Sequence, residues 1–197
     1  GPARDGALLA SHWVGAVCPT CTATMRKAEA EQLAGLEGKL QAILDSYTKD
    51  QVLRSIKDIE AQEALIDEHF AQHVLADLVW EQLCSQCVAR KMAEKQRKFL
   101  RQRVKFNGGA YEGLSGAHAW AMEALGDALR LGPRRPSTKE LQSSNGAWEK
   151  TLAAEAAKDK EDARAMYAEA IDILTPMFGE DHEHVADVNE KLIDLDR

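Results

Sequence analysis

Apolar side chains recur at three- and four-residue steps along most of the chain, and no long segment alternates apolar with polar residues. The three- and four-residue step places apolar side chains on one face of a helix, whereas alternation would place them on one face of a strand. Alanine, leucine, glutamate, lysine and glutamine dominate, and all five favour helices. The pattern predicts an all-α fold.

Two helical stripes in the first half are separated by a break near residues 47–50. The first stripe consists of Leu33, Leu36, Leu40, Ile43, Leu44 and Tyr47. The second begins at Val52 and is predicted to continue unbroken to about Val104. Thr48 and Gln51 have the spacing of a capping box, which predicts that the second helix starts there. Two helices joined by a short break predict a long antiparallel hairpin.

A glycine cluster follows the second stripe and predicts a domain boundary. Asn107, Gly108 and Gly109 are followed closely by Gly113 and Gly116. We therefore expect a hairpin domain over residues 1–106 and a second helical domain over residues 107–197. Helices in the second domain are predicted at residues 114–131, 141–157, 162–174 and 183–195.

The cysteines form two CxxC pairs, Cys18 with Cys21 and Cys84 with Cys87, and the chain has no other cysteine. The midpoint between the pairs falls near position 52, so an antiparallel hairpin that turns there would bring them together. Thiolates three residues apart can bind one metal ion, and two such pairs complete a tetrahedral shell. We expect a structural zinc site, because a closed four-sulfur shell has no open position for catalysis.

Two other interpretations of the cysteines stay open. They could be buried thiols without a metal, since cysteine is among the residues most often buried. They could also form a redox pair or disulfide, which is the least expected outcome inside a cell. The sequence contains no HExxH motif, no nucleophile motif and no glycine-rich phosphate loop after a strand. We therefore do not expect an enzyme.

Charge is distributed unevenly along the chain, whose net charge is −7. Residues 88–106, here called the basic arm, contain eight basic residues and one acid, whereas residues 151–197, the acidic segment, contain thirteen acids and five basic residues. One hypothesis is that Arg97, Lys98, Arg101 and Arg103 bind an acidic protein partner. The other is that the acidic segment neutralises the arm. Nucleic acid is a less expected partner than protein.

Targeting signals are absent from the sequence. No apolar run is long enough to cross a bilayer, and residues 1–10 lack the basic-then-apolar pattern of a signal peptide. These features predict an intracellular protein, in the cytoplasm rather than the nucleus. Gly1-Pro2 is typical of the scar that a tag-cleaving protease leaves, so we expect a fragment of a longer protein.

The last third carries a spaced set of small, aromatic and apolar residues around a turn. The set consists of Ala163, Tyr167, Ala170, Ile173, Gly179, Asp181, His182, Val185, Ala186, Asn189 and Leu192. It resembles the tetratricopeptide repeats of kinesin light chains, except that Glu183 stands where that family has proline. The resemblance implies paired helices in which Ala163 and Ala170 permit close approach, while Tyr167, Ile173 and Phe178 fill the space between them. It also implies a partner-binding groove and a scaffold role.

The segment ALLASHWVGAVCPTC, residues 7–21, carries a second likeness. It is similar to the zinc-binding end of the catalytic domain in SET and MYND methyltransferases, which continue into tetratricopeptide-like helices. Ala16 stands where the first cysteine of their CxCxxC motif would be, and no catalytic SET sequence is present. The alternative function is therefore the C-terminal part of a lysine methyltransferase without its catalytic domain.

Overall fold

The computed structural model describes residues 26–49, 53–69, 74–110, 113–132 and 147–195, which form seven helices. The helices are α1 (Lys27–Lys49), α2 (Ile56–His69), α3 (Val74–Ala89), α4 (Ala93–Ala110), α5 (Gly116–Arg130), α6 (Ala147–Phe178) and α7 (Glu183–Asp194). These ranges contain no strand, so the predicted all-α fold is confirmed. None of these seven helices is long and apolar enough to span a membrane.

Backbone contacts divide the chain into two compact units, residues 1–82 and residues 83–197. The sequence predicted a boundary after residue 106, at the start of the glycine cluster. Asn107, however, lies within α4, is buried, and donates from its side-chain amide to the carbonyl oxygen of Arg103 at 2.9 Å. Helix α4 therefore continues into the glycine cluster.

In the first unit, side chains near the connection hold the end of α1 beside α2. The Tyr47 hydroxyl donates to Oε1 of Gln62 at 2.6 Å. Arg54 donates to the hydroxyl of Ser46 at 2.8 Å, and its guanidinium lies 5.1 Å from the centre of the Tyr47 ring. These contacts join the end of α1 to α2 and the residues just before it, while pairing of the two helices along the rest of the predicted hairpin stays a prediction.

Helix α2 begins at a capping box formed by Ser55 and Asp58. The Ser55 hydroxyl accepts from the backbone N–H of Asp58 at 3.1 Å, and the backbone N–H of Ser55 donates to the Asp58 carboxylate at 3.1 Å. The box predicted at Thr48 is wrong, because Thr48 lies within α1 and its hydroxyl donates to the carbonyl oxygen of Leu44 at 3.3 Å. A hydroxyl inside a helix can be satisfied in this way, so spacing alone did not identify the start. Gln51 lies outside the described residues.

A left-handed turn at residues 90–92 separates α3 from α4. The backbone N–H of Met92 donates to the Cys87 carbonyl at 2.9 Å, and that of Lys91 to the Val88 carbonyl at 3.0 Å. These two bonds form a Schellman motif, in which Lys91 takes the left-handed position with φ of 56°. The predicted unbroken helix from Val52 to Val104 is therefore wrong. Glycine usually marks such a turn, and its absence removed the sequence signal.

In the second unit, α5 packs against α4 and α6, and α6 also packs against α7. The buried side chains recur at helical steps, which places one stripe on each helix. The stripes are Phe99 and Leu100 on α4; Ala119, Met122, Leu125 and Leu129 on α5; Ala163, Tyr167, Ala170 and Leu174 on α6; and Val185 and Val188 on α7. Together they form the apolar core of this unit.

The sequence predicted all four boundaries of α5 and α7 to within two residues, but it divided α6 in two. The helices expected at residues 114–131 and 183–195 are confirmed as α5 and α7. Those expected at 141–157 and 162–174 form one helix of 32 residues. The intervening sequence, KDKE, contains no glycine or proline, and all its residues except Asp159 are exposed, so its polarity marked helix surface rather than a loop. Residues 153–158 of α6 are exposed around the whole circumference.

Candidate functional site

Arg97, one of the four basic residues predicted to bind a partner, is buried inside the second unit. Only 3% of its side chain is exposed. Its Nε and Nη2 donate to the carbonyl oxygen of Ala128 at 3.2 Å each, and Nη2 also donates to the carbonyl oxygen of Gly132. Its Nη1 lies 3.0 Å from Oδ2 of Asp159. Arg97 therefore joins α4 to the end of α5 and to α6, and it does not belong to an exposed binding surface.

The ion pair between Arg97 and Asp159 bears on the two hypotheses for the basic arm. Asp159 belongs to the acidic segment, so this one charge of the arm is neutralised within the chain. Acidic residues farther along the segment pair elsewhere, since Oδ2 of Asp194 lies 3.8 Å from Nη2 of Arg130 on α5. Internal neutralisation thus accounts for a buried member of the arm and leaves its exposed members to be explained.

The other three predicted residues differ from one another in their surroundings. Lys98 and Arg103 each have an interaction partner in the chain. Arg101 is exposed and lies on the wall of a groove, together with Lys105 one turn later on α4. Lys105 was not among the predicted binding residues. Its four-residue spacing from Arg101 is the sequence signal that could have identified it.

The groove is bounded by three helices of the second unit and has a volume of about 310 Å³. Its lining consists of Arg101, Val104 and Lys105 from α4, Leu125 and Leu129 from α5, and Asp162, Ala165 and Met166 from α6. On each helix these residues lie within one turn, at spacings of one, three or four, so each helix contributes one face. The floor and walls are largely apolar, and the charges belong to two opposite helices. Sequence analysis missed the apolar members because helical spacing identifies core residues and groove floors in the same way.

Helices α5 and α6, which form two sides of the groove, pack closely against each other at Gly126 and Tyr167. Gly126 of α5 faces the ring of Tyr167, and a Cβ atom at Gly126 would lie 2.6 Å from Cε1 of that ring. Tyr167 is fully buried and follows Met166 of the groove wall. Its hydroxyl donates to Oδ1 of Asp127 at 2.7 Å. The absence of a side chain at Gly126 therefore sets how closely the two helices approach.

A polar cluster beside Tyr167 ties α7 to α5. Nζ of Lys191 donates to Oε1 of Glu123 at 2.6 Å and to Oδ2 of Asp127 at 2.8 Å. Burial alone would lower the pKa of Lys191, but the two carboxylates outweigh it and the pKa is raised. Burial, together with the hydrogen bond to Asp127, raises the pKa of the Tyr167 hydroxyl. Both groups are therefore held in their protonated forms, with Lys191 charged and Tyr167 neutral.

The residues that carry the tetratricopeptide resemblance occupy packing positions in part. Ala163, Tyr167 and Ala170 are buried, as is Val185, and Ile173 is half-buried. The tetratricopeptide-like pairing of these helices stays a prediction. Phe178 was expected to fill the space between helices, but 39% of its surface is exposed. Its ring stacks on that of His182 with centroids 4.8 Å apart. The expectation for Phe178 is wrong, because Phe178 is the last residue of α6 and lies at the turn, where its ring is partly exposed.

The turn between α6 and α7 contains a left-handed glycine and a helix N-cap. Gly179 has φ of 96°, in the left-handed region that favours glycine. His182 is the N-cap of α7, and its Nδ1 accepts from the backbone N–H of His184 at 3.3 Å. His182 therefore caps α7.

Of the four cysteines predicted to bind zinc, Cys84 and Cys87 are described, and Cys18 and Cys21 lie outside the described residues. Cys84 and Cys87 are buried thiols one turn apart on α3. Within the described residues no group of three or more histidine, cysteine, aspartate or glutamate side chains could hold a metal ion. The described pair has the spacing of half a zinc site, and the site itself stays a prediction.

Comparison with known proteins gave no relatives: no protein-family model matches the chain, and no curated protein is significantly similar to it.

Proposed function

We propose that the chain is a non-catalytic protein–protein interaction module of a larger protein or assembly. The groove between α4, α5 and α6 is the observation that carries this proposal. Its lining is largely apolar, with charged side chains at its edges, and helical partners commonly bind apolar grooves of this kind. A structural zinc at Cys18, Cys21, Cys84 and Cys87 is part of the same proposal and has its own test below.

The chemistry of the lining residues favours binding over catalysis. The lining contains one carboxylate, Asp162, and no histidine, cysteine, serine or tyrosine. Acid–base or nucleophilic catalysis needs a nucleophile or a paired acid and base within hydrogen-bond reach of each other. The lining has no hydroxyl, thiol or imidazole group for such a step, whereas its apolar side chains can contact those of a partner.

A direct test places a large side chain in the groove by substituting a residue on its wall. Ala165 is exposed on the groove wall, so Ala165→Trp places an indole in the groove without disturbing the core. Ala156→Trp is the matched control, because Ala156 is exposed on the opposite face of the same helix. Peptides selected from a random library on the full chain should lose at least about tenfold in affinity for Ala165→Trp and keep it for Ala156→Trp. If the two variants weaken binding equally, or no selected peptide responds to Ala165→Trp, the groove is not the binding site.

A further inference from the structure

We propose that the groove binds an amphipathic helix with a row of carboxylates beside its apolar stripe. The proposal rests on the proposed function, because it names the class of partner for the same groove. Charge supplies the first argument. Arg101 and Lys105 lie on one wall, and within the described residues neither side chain forms a hydrogen bond or an ion pair. Two like charges one turn apart repel each other, so a negatively charged partner would be stabilised there.

The spacing of the two basic residues matches a helical partner. Arg101 and Lys105 are four residues apart on α4, so they are separated by about 6 Å along the helix axis. Carboxylates four residues apart on a partner helix have the same separation. A partner helix lying along α4 can therefore pair both charges at once.

The arrangement of the apolar floor also favours a helix over an extended peptide. The basic wall belongs to α4 and the floor to Leu125 and Leu129 of α5, so the two surfaces lie next to each other. A helix presents an acidic stripe and an apolar stripe on adjacent faces, whereas an extended peptide sends successive side chains to opposite faces. A concave site between helices is also a poor fit to the flat surface of an anionic membrane.

Asp162 restricts the charge of the other flank of the partner. Asp162 lies on the α6 wall, opposite the basic residues. A carboxylate on that side of the bound helix would face a like charge, which is destabilising. The partner helix is therefore acidic on one flank only, and neutral or basic on the other.

The test uses fluorescently labelled helical peptides with a common leucine stripe. One set carries glutamates four residues apart on one flank, a second carries lysines at the same positions, and a third carries the glutamates but has alanines in place of the leucines. They are titrated by anisotropy against the full chain, Arg101→Glu/Lys105→Glu, and Ala165→Trp. Lys150→Glu/Lys160→Glu is the control, because it makes the same change in net charge at exposed positions of α6 outside the groove.

We expect the glutamate set to bind the unmodified chain, with affinity falling as salt rises. Arg101→Glu/Lys105→Glu should weaken the glutamate set by at least tenfold and strengthen the lysine set, while the control pair changes both sets by less than threefold. Ala165→Trp should abolish binding, and so should loss of the leucines. Circular dichroism checks that each variant keeps its helix content.

Other outcomes overturn the proposal. The proposal is overturned if no glutamate peptide binds, or if the two charge-reversal pairs change binding equally. It is also overturned if Ala165→Trp leaves peptide affinity unchanged. Self-association that Ala165→Trp removes would identify a second copy of the chain as the occupant. Binding to phosphatidylserine vesicles without binding to any peptide would identify a lipid surface. If library peptides respond to Ala165→Trp but carry no acidic flank, this inference fails while the proposed function stands.

Discussion

Gly126 permits close packing of α5 against α6, although glycine is unfavourable inside a helix. Glycine inside a helix costs about 1 kcal/mol relative to alanine, so a helix-propensity argument would replace it. Its Cα, however, faces the Tyr167 ring too closely for any side chain. Because Tyr167 is buried and its hydroxyl is held by Asp127, the ring has little room to move.

We expect Gly126→Ala to lower the free energy of unfolding by about 1–3 kcal/mol, since overpacking outweighs the gain in helix propensity. Gly109→Ala is the matched control, because nothing lies within 4 Å of a Cβ at that position. It should be neutral or stabilising by up to about 1 kcal/mol. Urea denaturation measures both, and a Gly126→Ala protein as stable as the Gly109→Ala protein would contradict the packing argument.

Lys91 occupies a backbone conformation that favours glycine, whereas Gly126 occupies a helix position that by propensity alone favours alanine. The left-handed conformation of Lys91 crowds its Cβ against the backbone, a cost that glycine avoids. Lys91→Gly should therefore raise the free energy of unfolding by about 1 kcal/mol. Lys91→Ala removes the same charge but keeps the crowded Cβ, and it should give no such gain. Equal stabilisation by the two substitutions would mean that charge, and not conformation, is the cause.

At the scale of helices, Arg97 stabilises the end of α5 by donating to two carbonyl oxygens that the helix itself cannot satisfy. We expect Arg97→Met to lower the free energy of unfolding by about 3–5 kcal/mol. The substitution leaves the two carbonyl oxygens without a hydrogen-bond donor and Asp159 without a positively charged partner. Adding Asp159→Asn should recover part of the loss. Arg101→Met, at an exposed position, should change stability by less than about 0.5 kcal/mol, and guanidinium denaturation compares the three proteins. An Arg97→Met protein as stable as Arg101→Met would refute the structural role.

The sequence predicted helices well where their ends carry local signals. The turn at Gly179 before α7 marked a boundary that the structure confirms. It failed at Lys91, where a left-handed turn forms without glycine, and at KDKE, where polarity was taken for a loop. The basic arm was visible as a cluster of charge, but its division into a buried Arg97 and an exposed Arg101 depends on tertiary packing. The apolar half of the groove comes from three separate helices, so its assembly depends on tertiary packing that no local pattern reveals.

For the whole molecule, the zinc prediction is the one that metal analysis can settle. Purified under reducing conditions without chelator, the chain should contain about one zinc per molecule, and removal of the metal should lower its thermal stability. Cys87→Ser and Cys18→Ser should each lose the metal, whereas Ser85→Ala, beside the helical pair, should keep it. A zinc-free protein in which all four cysteines react as thiols only after unfolding would support the buried-thiol alternative.

The length of α6 has a consequence for hydrogen exchange. With 32 residues it extends for about 48 Å, roughly twice the length of the 15-residue α5. The exposed turns at residues 153–158 are held by local helix propensity alone, and a helix segment this short is marginal in water. Amide protons there should exchange orders of magnitude faster than those around Ala163 and Tyr167, with protection rising through residues 159–163. Uniform protection along α6 would contradict this. A single continuous helix thus contains two regimes of opening, local fraying at one end and global unfolding at the other.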